Sequence, residues 1–246
     1  MARYDFDAAR LFVEGDLAGG TALRCTPQQI NYLRNVLRLD AGRRVLVFNG
    51  RDGEWQAEVV ADGKRGATLR VHAQVRAQEG GPDIDYLFAP LKRARLDYLV
   101  QKATEMGVAR LRPVLTRRTV AERVNLERMR ANVVEAAEQC GILRLPELHA
   151  PERLERVLAR WDAHRRLIFC DEGGDGADPL SALAAVAPGP LAVLVGPEGG
   201  FDEAERAHLI ALPFVTRLSL GPRILRADTA AVAALALVNA ALGDWR

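Results

Sequence analysis

Cysteine, histidine and lysine are all scarce in this 246-residue chain, and each shortage removes a class of function. Cys25, Cys140 and Cys170 are far apart, odd in number and lack C-x-x-C spacing. That excludes a disulfide framework and points to reduced, buried thiols in a cytoplasmic protein. His72, His149, His164 and His208 show no metal-ligand spacing, so no metal is expected. Long apolar runs are missing too. Ala230 to Leu242 is dominated by alanine and falls short of a bilayer span, so no membrane partner is expected. The opening residues Met1-Ala2-Arg3-Tyr4-Asp5 carry charges and no signal pattern. Neither common nucleotide signature is present, G-x-G-x-x-G after a first strand or G-x-x-x-x-G-K-[ST], which disfavours a nucleotide hydrolase.

What is present is an uneven charge distribution and nearly half apolar residues, ample for a packed core. The net charge of +2 hides a basic block from Lys92 to Arg130, where eleven basic residues face four acidic ones. From Ala131 onward eleven basic residues face sixteen acidic ones. Arginine far outnumbers lysine throughout, but that bias does not explain clustering by sign. A basic block on a nearly neutral chain suggests a polyanionic partner.

The first seventy or so residues read as β-rich. Arg44 to Phe48, Glu54 to Val60 and Ala67 to Val75 alternate, with Asn49-Gly50 and Asp62-Gly63 turns between them, as in a small barrel. One helix from Gln28 to Leu39 precedes them, with Ile30, Leu33, Val36 and Leu37 on one face and Arg34 and Arg38 on another. The polar link Gln78-Glu79-Gly80-Gly81-Pro82 then marks a domain boundary, giving a first domain over residues 1–75 and a second over 76–246. Beyond it strands and helices alternate. Strands are expected at Tyr86–Ala89, Leu111–Leu115, Leu167–Cys170, Leu191–Val195 and Val215–Leu220, and helices at Ala94–Met106 and Leu126–Cys140. Asp202 with Glu205 makes a capping signal for a further helix, and Asp228 or Thr229 caps the last. Such alternation calls for an α/β fold, a parallel sheet with helices on both faces.

Two glycine-proline turns follow the last two strands: Gly196-Pro197-Glu198-Gly199-Gly200-Phe201 and Gly221-Pro222-Arg223-Ile224-Leu225-Arg226. Loops at the carboxyl ends of parallel strands are where such sheets bind ligands. Two adjacent loops with little side-chain bulk can hold a flat cofactor by backbone groups, and their prolines stiffen them beforehand.

Those turns, with Gln101-Lys102-Ala103-Thr104-Glu105-Met106-Gly107, Glu135 to Gly141 and Leu218 to Thr229, resemble the bacterial 16S ribosomal RNA uracil-N3 methyltransferases of the SPOUT class. The resemblance covers essentially the whole chain. It implies a PUA-like RNA-binding β-barrel, a SPOUT-type parallel sheet with a trefoil knot, and a homodimer. The cofactor implied is S-adenosylmethionine. It would be held by Leu194, Val195, Gly196, Pro197, Glu198, Gly199 and Gly200 from the first turn. From the second come Leu218, Ser219, Leu220, Gly221, Ile224, Leu225 and Arg226. Asn31 stands where relatives often have histidine, and Asp228 where many have glutamate.

The implied chemistry has clear requirements. Uracil N3 carries an imide proton that must leave, and the resulting anion must be stabilised. Arg226 is the expected anion stabiliser. Asp228 and Glu198 are the expected proton acceptors, although Asp228 could equally serve as a helix cap and Glu198 as an anchor of its turn. Arg34, Arg38, Lys92, Arg93, Arg117 and Arg118 are the expected RNA contacts, on 16S ribosomal RNA or the small ribosomal subunit. Two other readings stay open: a SPOUT ribose 2′-O-methyltransferase, and a non-catalytic RNA-binding assembly factor.

Overall fold

The computed structural model describes residues 8–63, 66–121, 123–173 and 178–245. The chain divides into two compact units, one reaching to Gly80 and including Ala137–Leu145, the other formed by Gly81–Ala136 and Pro146 onward.

The first unit contains β1 (Arg10–Phe12), β2 (Ala22–Arg24), α1 (Pro27–Asn31), β3 (Arg44–Phe48), β4 (Glu54–Asp62) and β5 (Gly66–Arg76). Its sheet runs β1-β3-β4-β5-β2, with β1 parallel to β3 and the remaining pairs antiparallel. Alternate residues of β4 and β5, among them Ala57, Val59, Leu69 and Val71, turn inward to a core shared with Leu33 and Val47. At its edge Arg10 and Glu54 form a buried ion pair at 2.9 Å.

The helix expected from Gln28 to Leu39 is broken. Thr26 and Gln29 cap α1 reciprocally, and Pro27 sits in its first turn. A π-helical turn follows at Tyr32–Val36, in which the Leu37 N–H donates to the Tyr32 carbonyl at 2.9 Å. The wider turn sinks Leu33 into the core but rotates Val36 off the expected apolar face, leaving it 61% exposed.

The second unit contains β6 (Ile84–Phe88), α2 (Ala94–Glu105), β7 (Arg110–Leu115), α3 (Leu126–Cys140), β8 (Glu147–Leu148), β9 (Glu152–Arg153), α4 (Leu154–Ala159), β10 (Arg166–Cys170), α5 (Pro179–Ala184), β11 (Leu191–Val195), α6 (Glu203–Ala211), β12 (Val215–Leu218) and α7 (Ala227–Leu242). The last turn of α3 belongs to the first unit. All pairings are parallel, in the order β12-β10-β11-β6-β7-β8, with β9 beside β7. Every residue of β6 and β11 is buried, as expected of strands covered on both faces. Leu154, Val157 and Leu158 of α4 and Leu209 of α6 pack with Leu87, Phe169 and Leu194. α7 packs on β11, α2 and α5.

Two expected boundaries move. β12 stops at Leu218 rather than Leu220, and α7 is capped by neither Asp228 nor Thr229. Arg226, with extended backbone, holds the cap position, and its carbonyl accepts the first helical bond from the Ala230 N–H at 2.7 Å. Asp228 therefore lies within the first turn, where the helix dipole favours a carboxylate.

At the amino end of the sheet, the buried Asp85 carboxylate accepts from Arg110 at 2.6 Å and Arg112 at 3.1 Å, and lies 3.5 Å from Arg165. Asp83 shares Arg110 and Arg165. Asp85→Ala would leave these guanidiniums under-compensated, and their part-exposure keeps the cost to about 3 kcal/mol. Urea unfolding is expected to show that loss, and a loss below about 1 kcal/mol would show that solvent already screens the cluster.

Candidate functional site

Five loops gather at the carboxyl end of the parallel sheet, following β12, β10, β11, β6 and β7. The two glycine-proline loops do not leave neighbouring strands, contrary to the sequence-based expectation. β10 lies between β11 and β12, so the strands feeding the two turns stand about 10 Å apart. Asp171 directly follows β10, the strand between them, and is buried. Burial pushes its carboxyl upward, but hydrogen bonds from Arg206 and Arg217 outweigh that and hold it below the usual carboxylate range.

The first turn is shaped by close approach. Phe201 folds back so that a Cβ on Gly196 would overlap its ring, and it meets Phe169 edge-on at 5.0 Å between centroids. Such a pair contributes about 1 kcal/mol beyond its buried area. Gly200 has φ +67°, and a Cβ there would collide with the Glu172 carboxylate. The Gly200 N–H closes the turn onto the Pro197 carbonyl at 2.9 Å. Asp202 and Glu205 then form the expected capping box of α6. Leu194 and Val195 are buried in β11, and the Val195 carbonyl accepts from Ala89 at 3.2 Å. They can therefore offer a ligand apolar lining only. Glu198 is exposed and ion-paired with Arg95.

The second turn differs in kind. Among the described residues, no backbone N–H or carbonyl from Leu220 to Leu225 has a hydrogen-bonding partner in the protein. Leu220 and Leu225 are half-buried, and Gly221 to Ile224 between them are exposed. The Ile224 side chain is 90% exposed, which leaves that residue its backbone to contribute. Backbone groups uncommitted within the protein are open to a ligand that supplies both donors and acceptors. Arg226 is exposed, and among the described residues its guanidinium makes no ion pair or hydrogen bond. It does not tie the final helix to its neighbours.

On β6, near Cys170 and Asp228, the Tyr86 hydroxyl is buried without a hydrogen-bonding partner among the described residues. Burial raises its pKa well above the ordinary phenol value, and the Cys170 and Asp228 charges raise it further. Cys170 is half-buried as a residue, yet its thiol is desolvated enough to be pushed up to about 12, an inert state. Asp228 is half-buried and accepts from the Thr229 N–H at 3.0 Å.

The basic candidates fall into three groups. Lys92 and Arg93 are exposed after β6, and Arg93 has the uncommon φ of +37°. Arg117 and Arg118, after β7, contact the first glycine turn. Arg117 bonds Asp202 at 2.8 Å, and Arg118 bonds the Gly199 carbonyl at 3.0 Å. In the first unit, Arg34 and Arg38 line an open cleft of about 500 Å³ floored by Ala41, Val59, Ala61 and Ala67. Arg34 is braced on the Gly66 carbonyl at 2.8 Å, and Arg38 has φ +52°. Sequence reasoning missed Arg95, Asp171 and Tyr86. Arg95 was visible only as one charge of the basic block, and nothing in the local pattern marks the other two. Among the described residues no cluster of histidine, cysteine and carboxylate side chains could hold a metal, and no helix is long and apolar enough to cross a membrane.

Comparison with known proteins matches residues 79–239 to the RNA methyltransferase domain and residues 26–71 to the RNA methyltransferase PUA domain. A ribosomal RNA small subunit methyltransferase E from Synechocystis is 30% identical, over 96% of this chain and 78% of its own. One from Rickettsia conorii is 27% identical over 94% of each chain. A Legionella pneumophila methyltransferase solved with bound S-adenosylmethionine superposes with a TM-score of 0.83 at 29% identity, covering 96% of this chain and 99% of its own. The Neisseria gonorrhoeae ribosomal RNA small subunit methyltransferase E shares the fold, with a TM-score of 0.82 at 24% identity over 97% of this chain and all of its own. The resemblance read from the glycine turns therefore holds, and the chain belongs to the RNA methyltransferase family that joins a PUA domain to this α/β domain.

Proposed function

We propose that this protein transfers a methyl group from S-adenosylmethionine to N3 of a uridine in 16S ribosomal RNA, acting as a homodimer whose second unit carries a trefoil knot. The observation that carries the cofactor reading is the unpaired backbone of Leu220–Leu225, set across Asp171 from the compact turn at Gly196–Gly200. Small residues leave room for a flat ring. Leu194, Val195, Leu220 and Leu225 supply apolar lining, while Gly196, Pro197, Gly199, Gly200, Leu218, Ser219, Gly221 and Ile224 shape the two walls. The small-subunit RNA assignment is supported by the names of the relatives, and N3 of uracil by the resemblance of the two turns to that family.

When bound, S-adenosylmethionine supplies an electrophilic methyl group on a positively charged sulfur. The chain's own residues must remove the imide proton and hold the resulting negative charge. Arg226 is the group for the second task, because its guanidinium is uncommitted and stands at the end of the open turn. Asp228, two residues further, is the better proton acceptor, because Glu198 is already engaged by Arg95. Lys92 and Arg93, beside the same sheet edge, and Arg34 and Arg38 in their cleft supply contacts to RNA phosphates.

Incubating 30S subunits or naked 16S RNA with labelled cofactor, then analysing modified nucleosides, tests the reaction. N3-methyluridine is expected, 2′-O-methylation would move the assignment to the ribose, and failure to bind the cofactor would leave an RNA-binding factor.

Gly199 offers the cleaner steric probe of the cofactor site, since a Cβ there meets nothing closer than Arg118 Cβ at 3.9 Å. Gly221 has φ +94°, so any side chain there also strains the backbone. Gly199→Val is expected to keep its melting temperature and lose cofactor binding by calorimetry; retained binding would displace the site. Arg226→Ala is expected to reduce turnover by ~10²–10³ with cofactor affinity little changed, and Arg226→Lys to recover part of it. Near-normal turnover in folded Arg226→Ala protein would end that role. Reversing the charge of Lys92 with Arg93, or of Arg34 with Arg38, is expected to weaken RNA binding and flatten its salt dependence. Unchanged slopes in both variants would place the RNA footprint elsewhere.

A further inference from the structure

Three arginines of the basic block are already committed within the protein, and all three converge on one short loop. Arg95 pairs with Glu198, Arg117 bonds Asp202 at 2.8 Å, and Arg118 Nη1 donates to the Gly199 carbonyl at 3.0 Å. The Arg117 backbone N–H also donates to Glu205 at 2.8 Å, and Glu205 is buried while accepting from the Asp202 N–H at 3.3 Å. The segment bearing Arg117 and Arg118 is itself a closed turn. The Thr116 N–H donates to the Thr119 hydroxyl at 2.8 Å, and the Thr119 N–H returns to the Thr116 carbonyl at 3.2 Å. A rigid turn therefore delivers these arginines to the cofactor loop.

Arg118 has a distinct place in this arrangement. The peptide between Gly199 and Gly200 is flanked by two residues without side chains, so its backbone can rotate at low steric cost. Both of its polar groups are held. The Gly200 N–H is fixed by the Pro197 carbonyl at 2.9 Å, and the Gly199 carbonyl by the Arg118 guanidinium. The Arg118 stem lies over the glycine, with Cβ and Cδ at 3.9 and 4.0 Å from the position of a Gly199 Cβ.

We infer that Arg118 is a positioning residue for the cofactor loop, pinning the Gly199–Gly200 peptide in its binding orientation before S-adenosylmethionine arrives. Charge pattern alone would send this arginine to an RNA phosphate, whereas the geometry assigns it to the loop. The inference rests on the cofactor reading of that loop. Preorganisation lowers the ordering cost of binding, so its loss weakens affinity without touching the reacting atoms.

Cofactor affinity measured by calorimetry with no RNA present tests this directly, together with amide hydrogen exchange across residues 198–201 of the free protein. Arg118→Ala is expected to weaken S-adenosylmethionine binding about ten-fold, the scale of one charge-assisted hydrogen bond to a part-exposed carbonyl. Exchange in the loop is expected to quicken while the melting temperature holds, because the side chain is exposed. Arg118→Lys keeps a donor and a charge and is expected to recover part of both signals. Affinity within two-fold of wild type and unchanged exchange, with weaker RNA binding, would overturn the inference and leave Arg118 a phosphate contact. If wild-type protein binds no cofactor, the site reading fails instead, and the exchange measurement still reports whether Arg118 pins the peptide.

Discussion

Parallel strands cannot be joined by tight turns, and this constraint organises the second unit. Connections between neighbouring strands must cross a face of the sheet, which buries both faces under helices and turns the strands into the unbroken apolar runs seen at β6 and β11. A sheet buried in this way has only its ends available for chemistry. The amino end carries the Asp83 and Asp85 ion cluster, which stitches strand beginnings together. The carboxyl end carries the loops, and there the polar groups of one turn remain unspent.

The contrast between the two glycine turns has a physical basis. The first is over-determined: a ring packed on Gly196, a left-handed Gly200, a closed turn and three arginines all restrain it. Among the described residues, the second has backbone groups from Leu220 to Leu225 with no internal partner, and it ends in an uncommitted guanidinium at Arg226. One turn is held by the protein itself, and the other is left open by it. Asp171, at the end of the intervening strand, has its carboxylate engaged by Arg206 and Arg217.

Positive charge on this protein divides into two classes that composition cannot separate. Lys92, Arg93, Arg34 and Arg38 are exposed, the last two around a cleft of small apolar residues. Arg95, Arg117 and Arg118 meet acceptors on the first glycine turn and the cap of α6 instead. Within the second unit, exposed Lys92 and Arg93 follow β6 in the same short segment as the engaged Arg95, so residues close in sequence have different fates.

Much of this was legible in the residues themselves. Apolar runs bounded by turn residues marked β11 and β10 closely, the D-x-x-E pair marked the start of α6, and the two glycine-proline turns pointed to the family. Each of these is a local property, decided by propensity, capping or a steric demand on neighbouring residues. What only the tertiary structure decided depends on residues distant in the chain. The insertion of β10 between the two turns, the orphan hydroxyl of Tyr86, the π-helical turn that moves Val36 out of the core, and the assignment of Arg118 to Gly199 all follow from packing. A sequence states which residues can be buried or charged, but the order of strands sets which charge meets which carbonyl, and that order is a property of the whole fold.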